Sequence, residues 1–245
     1  MISKKLLVIS DNPELCIHLQ SELVKNFTDK QLDVSYRFTR LNQNPIKMIE
    51  IGASKIDIKD ESTVDFVLNS YDLVFSIHCK QIFPVKLVKN ICCVNFHPGF
   101  NPFNRGWFPQ AFSIINGYPA GATIHLMDEH VDHGEIIAQE TVSIQPSDTS
   151  YEVYRRVIDV EKKLISKYIY EIVTDSYKTF KPSGDGNYNG IKDYQSICQL
   201  NLNDIDSLEN HINLLRSTTH ENFRNAFFVA KDGKKYFIRI LIEPD

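Results

Sequence analysis

The sequence predicts an α/β fold with an open, mostly parallel, Rossmann-like sheet, followed by a small C-terminal α+β hairpin region. Two observations predict it. Short apolar runs typical of buried strands alternate with helix-like segments over the first ~100 residues. Further along the chain the pattern changes to a short helix and a hairpin. We therefore expect an N-terminal domain at residues 1–180 and a C-terminal region at residues 181–245.

The opening residues predict the first strand and the first helix. Residues 6–9 form a continuous apolar run, as expected for a buried parallel strand. Asn12 is predicted to cap the next helix, with Pro13 at its first position. Leucines repeat every fourth residue behind this cap, which gives the helix one apolar face.

The alternation continues along the chain. The predicted elements are a strand at 32–38, a helix at 63–68, strands at 72–77 and 91–94, a helix at 108–115, and strands at 122–127 and 136–144. Thr149 and Glu152 predict a capping box that opens a long amphipathic helix. Residues 182–190 are rich in Gly and Asn and predict a linker or a broad turn. A short helix around residues 208–215 and a hairpin through Asp232 and Gly233 follow.

Composition limits the classes of partner. The chain has 245 residues, 42% of them hydrophobic and 24% charged, which is typical of a globular protein. The chain contains 27 Lys and Arg residues and 31 Asp and Glu residues, which gives a net charge of −4. This balance predicts binding to neither nucleic acid nor an anionic membrane.

Five cysteines form no C-x-x-C pair, which favours reduced thiols and a cytoplasmic location. The N-terminal apolar run is too short for a secretory leader, and no later run approaches the ~20 apolar residues of a membrane span. We therefore expect a soluble, unprocessed chain.

The most informative stretch begins where the strand near residue 94 ends. Asn95 and His97 alternate there and so point to the same side of the sheet, at the edge where open α/β sheets bind ligands. A long loop rich in Pro, Gly and Asn follows, and it carries Arg105 and Trp107. Such a loop favours a binding role over a purely structural one.

A second stretch, residues 121–137, runs from one strand to another through an acidic, histidine-rich turn. Metal binding and a solvated turn are both possible interpretations. The spacing of His125, His130 and His133 does not reproduce the helical i, i+4 pattern of metal ligands, so we expect no metal. The functional alternative is that Asp132 reaches His97 and sets its tautomer and basicity.

Together these motifs resemble the Asn…His…Asp signature of the folate-dependent formyltransferases. The signature is carried by NFHP at residues 95–98 and VDHG at residues 131–134. NPFNRGWFPQ at residues 101–110 and GATIHLMD at residues 121–128 are similar to the branch that formylates nucleotide-linked amino sugars, as is LLRSTTH at residues 214–220. The resemblance implies the formyltransferase fold, with a catalytic domain at residues 1–180.

The resemblance implies N10-formyltetrahydrofolate as the co-substrate. The implied acceptor is a dTDP-linked 4-amino-4,6-dideoxy or 3-amino-3,6-dideoxy hexose, dTDP-4-amino-4,6-dideoxyglucose above all, used for O-antigen or another surface glycan. Asn95, His97 and Asp132 match the catalytic positions. In these roles His97 accepts the amine proton, Asn95 and protonated His97 stabilise the oxyanion, and Asp132 orients His97.

The resemblance also implies binding residues, which match the ends of the strands. The predicted folate contacts are Ser76, His78, Cys79, Lys80, Gln81, Met127, Asp128 and Val131. At Cys79, Lys80 and Gln81 we expect the main chain to make the contacts. The predicted contacts with the nucleotide sugar are Ser10, Asn12, Arg105 and Trp107: the first two lie at a helix N-terminus that favours anions, and the others supply a charge and a stacking surface.

Several related functions share this signature. The methionyl-tRNA branch calls for a basic surface and a larger C-terminal domain, and the purine-pathway branch for a Gly-rich first loop, which is absent. Formyltetrahydrofolate hydrolase and a catalytically silent sugar-nucleotide binding module remain open alternatives.

The C-terminal hairpin carries more apolar surface than a small unit can bury alone. The residues concerned are Phe227, Phe228, Tyr236, Phe237 and Ile238. We expect this hairpin to form a homodimer interface or to cover the catalytic domain.

Overall fold

A computed structural model describes residues 4–245, so the first three residues of the predicted N-terminal domain lie outside the described range. The strands are β1 (Lys4–Ser10), β2 (Leu32–Thr39), β3 (Ser54–Ile56), β4 (Leu73–Ile77), β5 (Cys92–His97), β6 (Arg105–Gly106), β7 (Ala120–Leu126), β8 (Ile136–Val142), β9 (Tyr188–Asn189), β10 (Phe227–Val229) and β11 (Lys235–Phe237). The helices are α1 (Pro13–Asn26), α2 (Ile46–Glu50), α3 (Glu61–Ser70), α4 (Val85–Asn90), α5 (Pro109–Asn116), α6 (Ser150–Val173), α7 (Ile191–Cys198) and α8 (Leu208–Thr218).

Seven strands form one sheet in the order β3-β2-β1-β4-β5-β7-β8. The first five of these are parallel to their neighbours, and β7 pairs antiparallel with β5. The predicted α/β class with a mostly parallel sheet is confirmed. The strand order reverses direction at β1 and β4, so this pair forms the topological switch point at which open α/β sheets bind ligands.

The chain separates into two compact units, each built from three segments. The first comprises the described residues up to His97, Thr123–Gln139 and Glu161–Ser183; the second comprises Pro98–Ala122, Glu140–Val160 and Gly184–Asp245. These discontinuous units do not test the linear boundary predicted near residue 180, which stays a prediction. Within residues 4–245, no helix is both long and apolar enough to cross a bilayer.

The first strand and helix follow the sequence pattern closely. The four apolar residues 6–9 of β1 are completely buried. Asn12 caps α1 with its side-chain oxygen, which accepts a hydrogen bond from the N–H of Leu15 at 3.1 Å, and Pro13 opens the helix. Leu15, Leu19 and Leu23 are buried on one face of α1.

The long helix α6 begins at the predicted capping box. The carboxylate of Glu152 accepts hydrogen bonds from the backbone N–H of Thr149 at 2.8 Å and from its hydroxyl at 2.5 Å. The apolar face is wider than the predicted stripe. The predicted stripe consists of Val153, Val157, Val160, Leu164, Tyr168 and Ile172. Val160 and Tyr168 are half-buried and the other four are buried, as are Ile158, Ile165 and Ile169 beside them.

Residues 182–190 are not a bare linker, because their second half pairs with another segment of the same unit. Strand β9 pairs parallel with β6, and the N–H of Asn187 donates to the carbonyl of Pro102 at 3.3 Å. Gly186 has a φ of +61°, and a Cβ there would lie 1.9 Å from the same carbonyl oxygen. Glycine is therefore required where these two segments meet.

The sequence pattern missed the shortest elements and one further helix. The missed elements are α2, α4, α7, β3 and the two-residue strands β6 and β9. All of them except α7 have six residues or fewer, too few to display a period. The predicted C-terminal hairpin is confirmed: β10 and β11 pair antiparallel, and Gly233 turns between them with a φ of +78°.

The loops after β1, β2 and β4 are joined by one carboxylate. Asp11 accepts hydrogen bonds from the N–H and the hydroxyl of Thr39, at 3.0 and 2.7 Å, and from the N–H of Lys80 at 2.9 Å. This contact makes the switch point a connected structure, because three strand ends depend on the same side chain.

Replacing Asp11 with Ala is expected to destabilise the chain by about 1–3 kcal/mol, because two backbone N–H groups and one hydroxyl lose their acceptor. Urea unfolding measures the change. Asp33, an exposed residue of β2, is the matched control; Asp33→Ala is expected to cost under about 0.5 kcal/mol. Equal costs for the two variants would contradict the role of Asp11.

Candidate active site

The candidate catalytic cluster begins at the end of β5. The side chains of Asn95 and His97 are buried, at 9% and 4% exposure. They lie opposite His125 and Thr123 of β7 in the antiparallel register. Burial of polar side chains at a strand end is costly unless they are paired, so their partners define the cluster.

Asp132 supplies the carboxylate that joins the cluster. One carboxylate oxygen accepts a hydrogen bond from the Asn95 amide at 2.9 Å, and the other lies 3.5 Å from Nδ1 of His97. Asp132 sits in the turn after β7 with a φ of +49°, a left-handed conformation that is uncommon for a residue other than glycine. The structure thus brings together the three residues that the sequence singled out.

His125 is a fourth member that the sequence interpretation treated only as part of a histidine-rich turn. Its Nδ1 lies 2.7 Å from the carbonyl oxygen of Leu126 and therefore carries the hydrogen. In the neutral ring Nε2 is then the acceptor, and it lies 3.3 Å from the Asn95 amide nitrogen and 3.5 Å from a carboxylate oxygen of Asp132. The amide of Asn95 consequently donates towards both His125 and Asp132, which orients its side chain.

The segment after β4 is ordered by its own side chains. Gln81 is buried, and its amide donates to Asp57 at 2.6 Å. The thiol of Cys79 donates to the carbonyl of Gln81 at 3.2 Å, while Lys80 is exposed. The side chains of Cys79 and Gln81 thus have partners within the protein. The main-chain contacts with a ligand that the resemblance implies at residues 79–81 stay a prediction.

The cysteines are unsuited to nucleophilic catalysis. All five of them, which lie within the described residues, are free thiols. Burial raises the pKa of Cys79 and of Cys16 to about 12, and it also raises the pKa of Cys92, Cys93 and Cys198. These thiols are protonated at neutral pH, so a thiolate nucleophile is not expected.

A buried histidine–glutamate pair lies at the switch point. Nε2 of His78 is 2.9 and 3.0 Å from the two carboxylate oxygens of Glu161 on α6, and Nδ1 of His78 is 3.3 Å from the amide of Asn12. Burial raises the pKa of Glu161, while the charge of His78 acts in the opposite direction. The sequence interpretation missed Glu161; its signal was a lone acidic residue on the apolar face of α6.

Ser10 and Ser76 are buried at the ends of β1 and β4. The hydroxyl of Ser10 is 3.1 Å from both the N–H and the carbonyl of Asn12, so it stabilises its own turn.

The turn after β7 is attached to β5 by its main chain. The N–H of Met127 donates to the carbonyl of Cys93 at 2.8 Å. Asp128 and Val131 of the same turn are half-buried.

Arg105 and Trp107 belong to the second unit. The Arg105 guanidinium donates to the carbonyl oxygens of Asp185 and Asn187 at 3.3 and 3.5 Å. Trp107 is half-buried, with its ring 5.9 Å from that of Phe108. The predicted substrate-binding roles of both residues stay predictions.

Comparison with known proteins covers nearly the whole chain. Residues 17–169 match the formyl transferase family, and residues 193–244 match the N-formyltransferase dimerization C-terminal domain.

Similar proteins of known activity and structure agree with these matches. A dTDP-4-amino-4,6-dideoxyglucose formyltransferase of Mycobacterium tuberculosis is 44% identical over 203 residues, covering 83% of this chain and 86% of that protein. The structure is similar to a sugar N-formyltransferase from Shewanella sp FDAARGOS_354, with a TM-score of 0.95, 42% identity and 99% of each chain covered. A 4-N formyltransferase from Francisella tularensis has a TM-score of 0.93, 38% identity and full coverage of both chains.

The resemblance found in the sequence motifs is therefore confirmed by family, relatives and fold alike. The chain belongs to the formyl transferase family and is a formyl-transferring enzyme.

Proposed function

We propose that this enzyme transfers a formyl group from N10-formyltetrahydrofolate to the 4-amino group of a dTDP-linked 4-amino-4,6-dideoxyhexose, with dTDP-4-amino-4,6-dideoxyglucose as the acceptor. The product would enter O-antigen or another surface glycan. The observation that carries the proposal is the buried Asn95–His97–Asp132 cluster. The 44% identical relative, named for this acceptor, supports the choice of substrate.

His97 is the proposed proton acceptor. A sugar ammonium has to lose a proton before its nitrogen can form a bond to the formyl carbon. Nδ1 of His97 faces Asp132 at 3.5 Å, so the proton is taken by the other ring nitrogen, Nε2. The carboxylate then stabilises the imidazolium that results, and this raises the basicity of His97 at the moment of transfer.

The same cluster stabilises the negative charge that develops on the formyl oxygen. Protonated His97 donates one hydrogen bond to it in this proposal. When the bond between the formyl carbon and N10 breaks, the proton on His97 passes to the leaving N10 of tetrahydrofolate. The Asn95 amide already donates towards Asp132 and His125. The Asn95 amide can therefore donate a hydrogen bond to the formyl oxygen only if it gives up one of these two hydrogen bonds when the substrates bind.

The folate residues fit a co-substrate with a polar, planar ring. Folate supplies the formyl group. Two segments of the protein contact the folate in this proposal. One is the main chain of residues 76–81, which hydrogen bonds of Asp11 and Gln81 hold in place. The other is the turn around Met127, Asp128 and Val131. Ordered main-chain donors and acceptors suit the polar edge of such a ring.

For the nucleotide sugar we propose contacts from the loop of Ser10 and Asn12 and from Arg105 and Trp107. The buried position of the Ser10 hydroxyl favours a contribution through the turn that it stabilises. The charge of Arg105 suits the pyrophosphate, and the ring of Trp107 suits stacking on a sugar or base.

We further propose that the enzyme is a cytoplasmic homodimer joined through its C-terminal region. The match to a dimerization domain supports the dimer. So does the hairpin, on which Val229, Tyr236 and Phe237 are each about half exposed, at 45–46%. The free thiols are compatible with a reducing compartment.

Formyl transfer is tested by incubating the enzyme with N10-formyltetrahydrofolate and a panel of nucleotide amino sugars, including a dTDP-linked 3-amino-3,6-dideoxyhexose. We expect tetrahydrofolate release that depends on the acceptor, and a product heavier by one formyl group, with the highest kcat/KM for the 4-amino substrate. Equal release without an acceptor would indicate a hydrolase. Binding of the sugar nucleotide without turnover would indicate a silent binding module.

His97→Asn and Asp132→Asn are expected to lower kcat by about 10²–10⁴-fold, because proton transfer and its orienting carboxylate act in the transition state. Steady-state kinetics should show little change in KM. His211→Asn, on α8, is the control and should retain activity. A His97→Asn variant with normal kcat would refute the proton-acceptor role.

Phe237→Glu is expected to convert the dimer to a monomer, because a charge in an apolar interface is costly. Light scattering coupled to size-exclusion chromatography measures the mass. Val24→Glu places a charge on another exposed apolar residue, in α1, and should leave the dimer intact. An unchanged mass for Phe237→Glu would contradict this interface.

A further inference from the structure

Three side chains of the turn between β7 and β8 converge outside the catalytic cluster. Nδ1 of His133 is 2.7 Å from one carboxylate oxygen of Asp128, and Nδ1 of His130 is 4.0 Å from the other. One potential ligand atom from each residue lies within 4.8 Å of the other two. Two imidazoles and one carboxylate form a donor set that suits a divalent transition metal.

The other acidic side chains near this turn have different partners. Glu129 pairs with Lys89, Glu135 accepts a hydrogen bond from Thr179 at 2.6 Å, and Asp132 accepts one from Asn95. Asp128 is therefore the carboxylate that the two exposed histidines share.

The geometry can close around an ion without disturbing the core. The side chains of Asp128, His130 and His133 are 38%, 65% and 56% exposed. The two imidazole rings lie 5.2 Å apart between centroids. The backbone N–H of His130 holds the Asp128 carboxylate by a hydrogen bond of 2.8 Å. The two exposed imidazoles can change rotamer, so they can bring their nitrogens to the ~2.0–2.2 Å that zinc requires beside this carboxylate.

We propose that Asp128, His130 and His133 bind one zinc-like divalent cation, with water in the remaining position. The ion replaces the hydrogen that now lies between Nδ1 of His133 and Asp128, and the imidazole binds in its neutral form. Zn²⁺, Co²⁺ and Ni²⁺ suit imidazole ligands. Mg²⁺ and Ca²⁺ prefer oxygen ligands. They do not suit this site, because two of its three protein ligands are histidine nitrogens.

The sequence argument against a metal rested on the absence of helical ligand spacing. A turn does not have to obey that spacing. Here the chain folds back so tightly that a Cβ at Gly134 would lie 1.9 Å from the carbonyl oxygen of Leu126. This reversal brings residues 128, 130 and 133 to one side.

Asp128 is also one of the proposed folate contacts, so the ion would hold a side chain of that region as well as the turn. His130 and His133 flank Asp132 in the chain, so an ion held by both would cross-link the turn on each side of the catalytic carboxylate. This restricts the turn and raises the thermal stability of the enzyme. The inference does not rest on the proposed function, because the ion takes no part in formyl transfer.

The test is a titration of the full chain with Zn²⁺ by calorimetry and with Co²⁺ by visible absorption. We expect one ion per chain, the absorption bands of low-coordinate Co²⁺, and a higher unfolding temperature with Zn²⁺. His130→Asn and His133→Asn should each weaken binding by about tenfold or more. Mg²⁺ at the same concentration should give no heat of binding.

Two controls separate this site from the catalytic histidines. His97→Asn and His211→Asn are both expected to bind Zn²⁺ as tightly as the unmodified chain. The proposal is overturned by the absence of saturable binding, by unchanged affinity in both turn variants, or by loss of binding in His97→Asn. None of these readouts measures formyl transfer, so failure here leaves the proposed function untouched.

Discussion

The carboxylate of Asp132 makes the contacts on which the rest of the candidate catalytic cluster depends. One of its oxygens accepts a hydrogen bond from the Asn95 amide. Its two oxygens lie 3.5 Å from Nδ1 of His97 and from Nε2 of His125, respectively. A carboxylate nearly withdrawn from water is costly unless its oxygens are satisfied, so the cluster forms as a whole. The antiparallel register of β5 and β7 is the constraint that aligns these partners.

The second polar arrangement of the first unit lies on neighbouring strands. Asp11 joins the loops after β1, β2 and β4, while His78 links Asn12 to Glu161. Since β4 is the parallel neighbour of β5, these loops and the catalytic cluster occur at the same edge of the sheet. Polar groups at this edge are thus held by hydrogen bonds within the chain, an arrangement that suits catalysis by preorganised groups.

Much of this arrangement could be predicted from the sequence, because strand runs and helix caps are local signals. The run at residues 6–9, the Asn12 cap and the capping box at Thr149 needed only neighbouring residues. Asn95, His97 and Asp132 were recognised because they stand in an ordered set of motifs. His125 and Glu161 were not, because each acts through a partner at least 30 residues away.

The sequence by itself determined the α/β class, the residue types of the catalytic cluster and the family to which they belong, since periodicity and motif order are properties of the chain. Tertiary structure decided which groups share a hydrogen bond. The strand order placed β1 beside β4, and the reversal after β7 carried Asp132 to His97 and gathered Asp128 with two histidines. Such contacts depend on distances in space, and spacing along the chain does not report them.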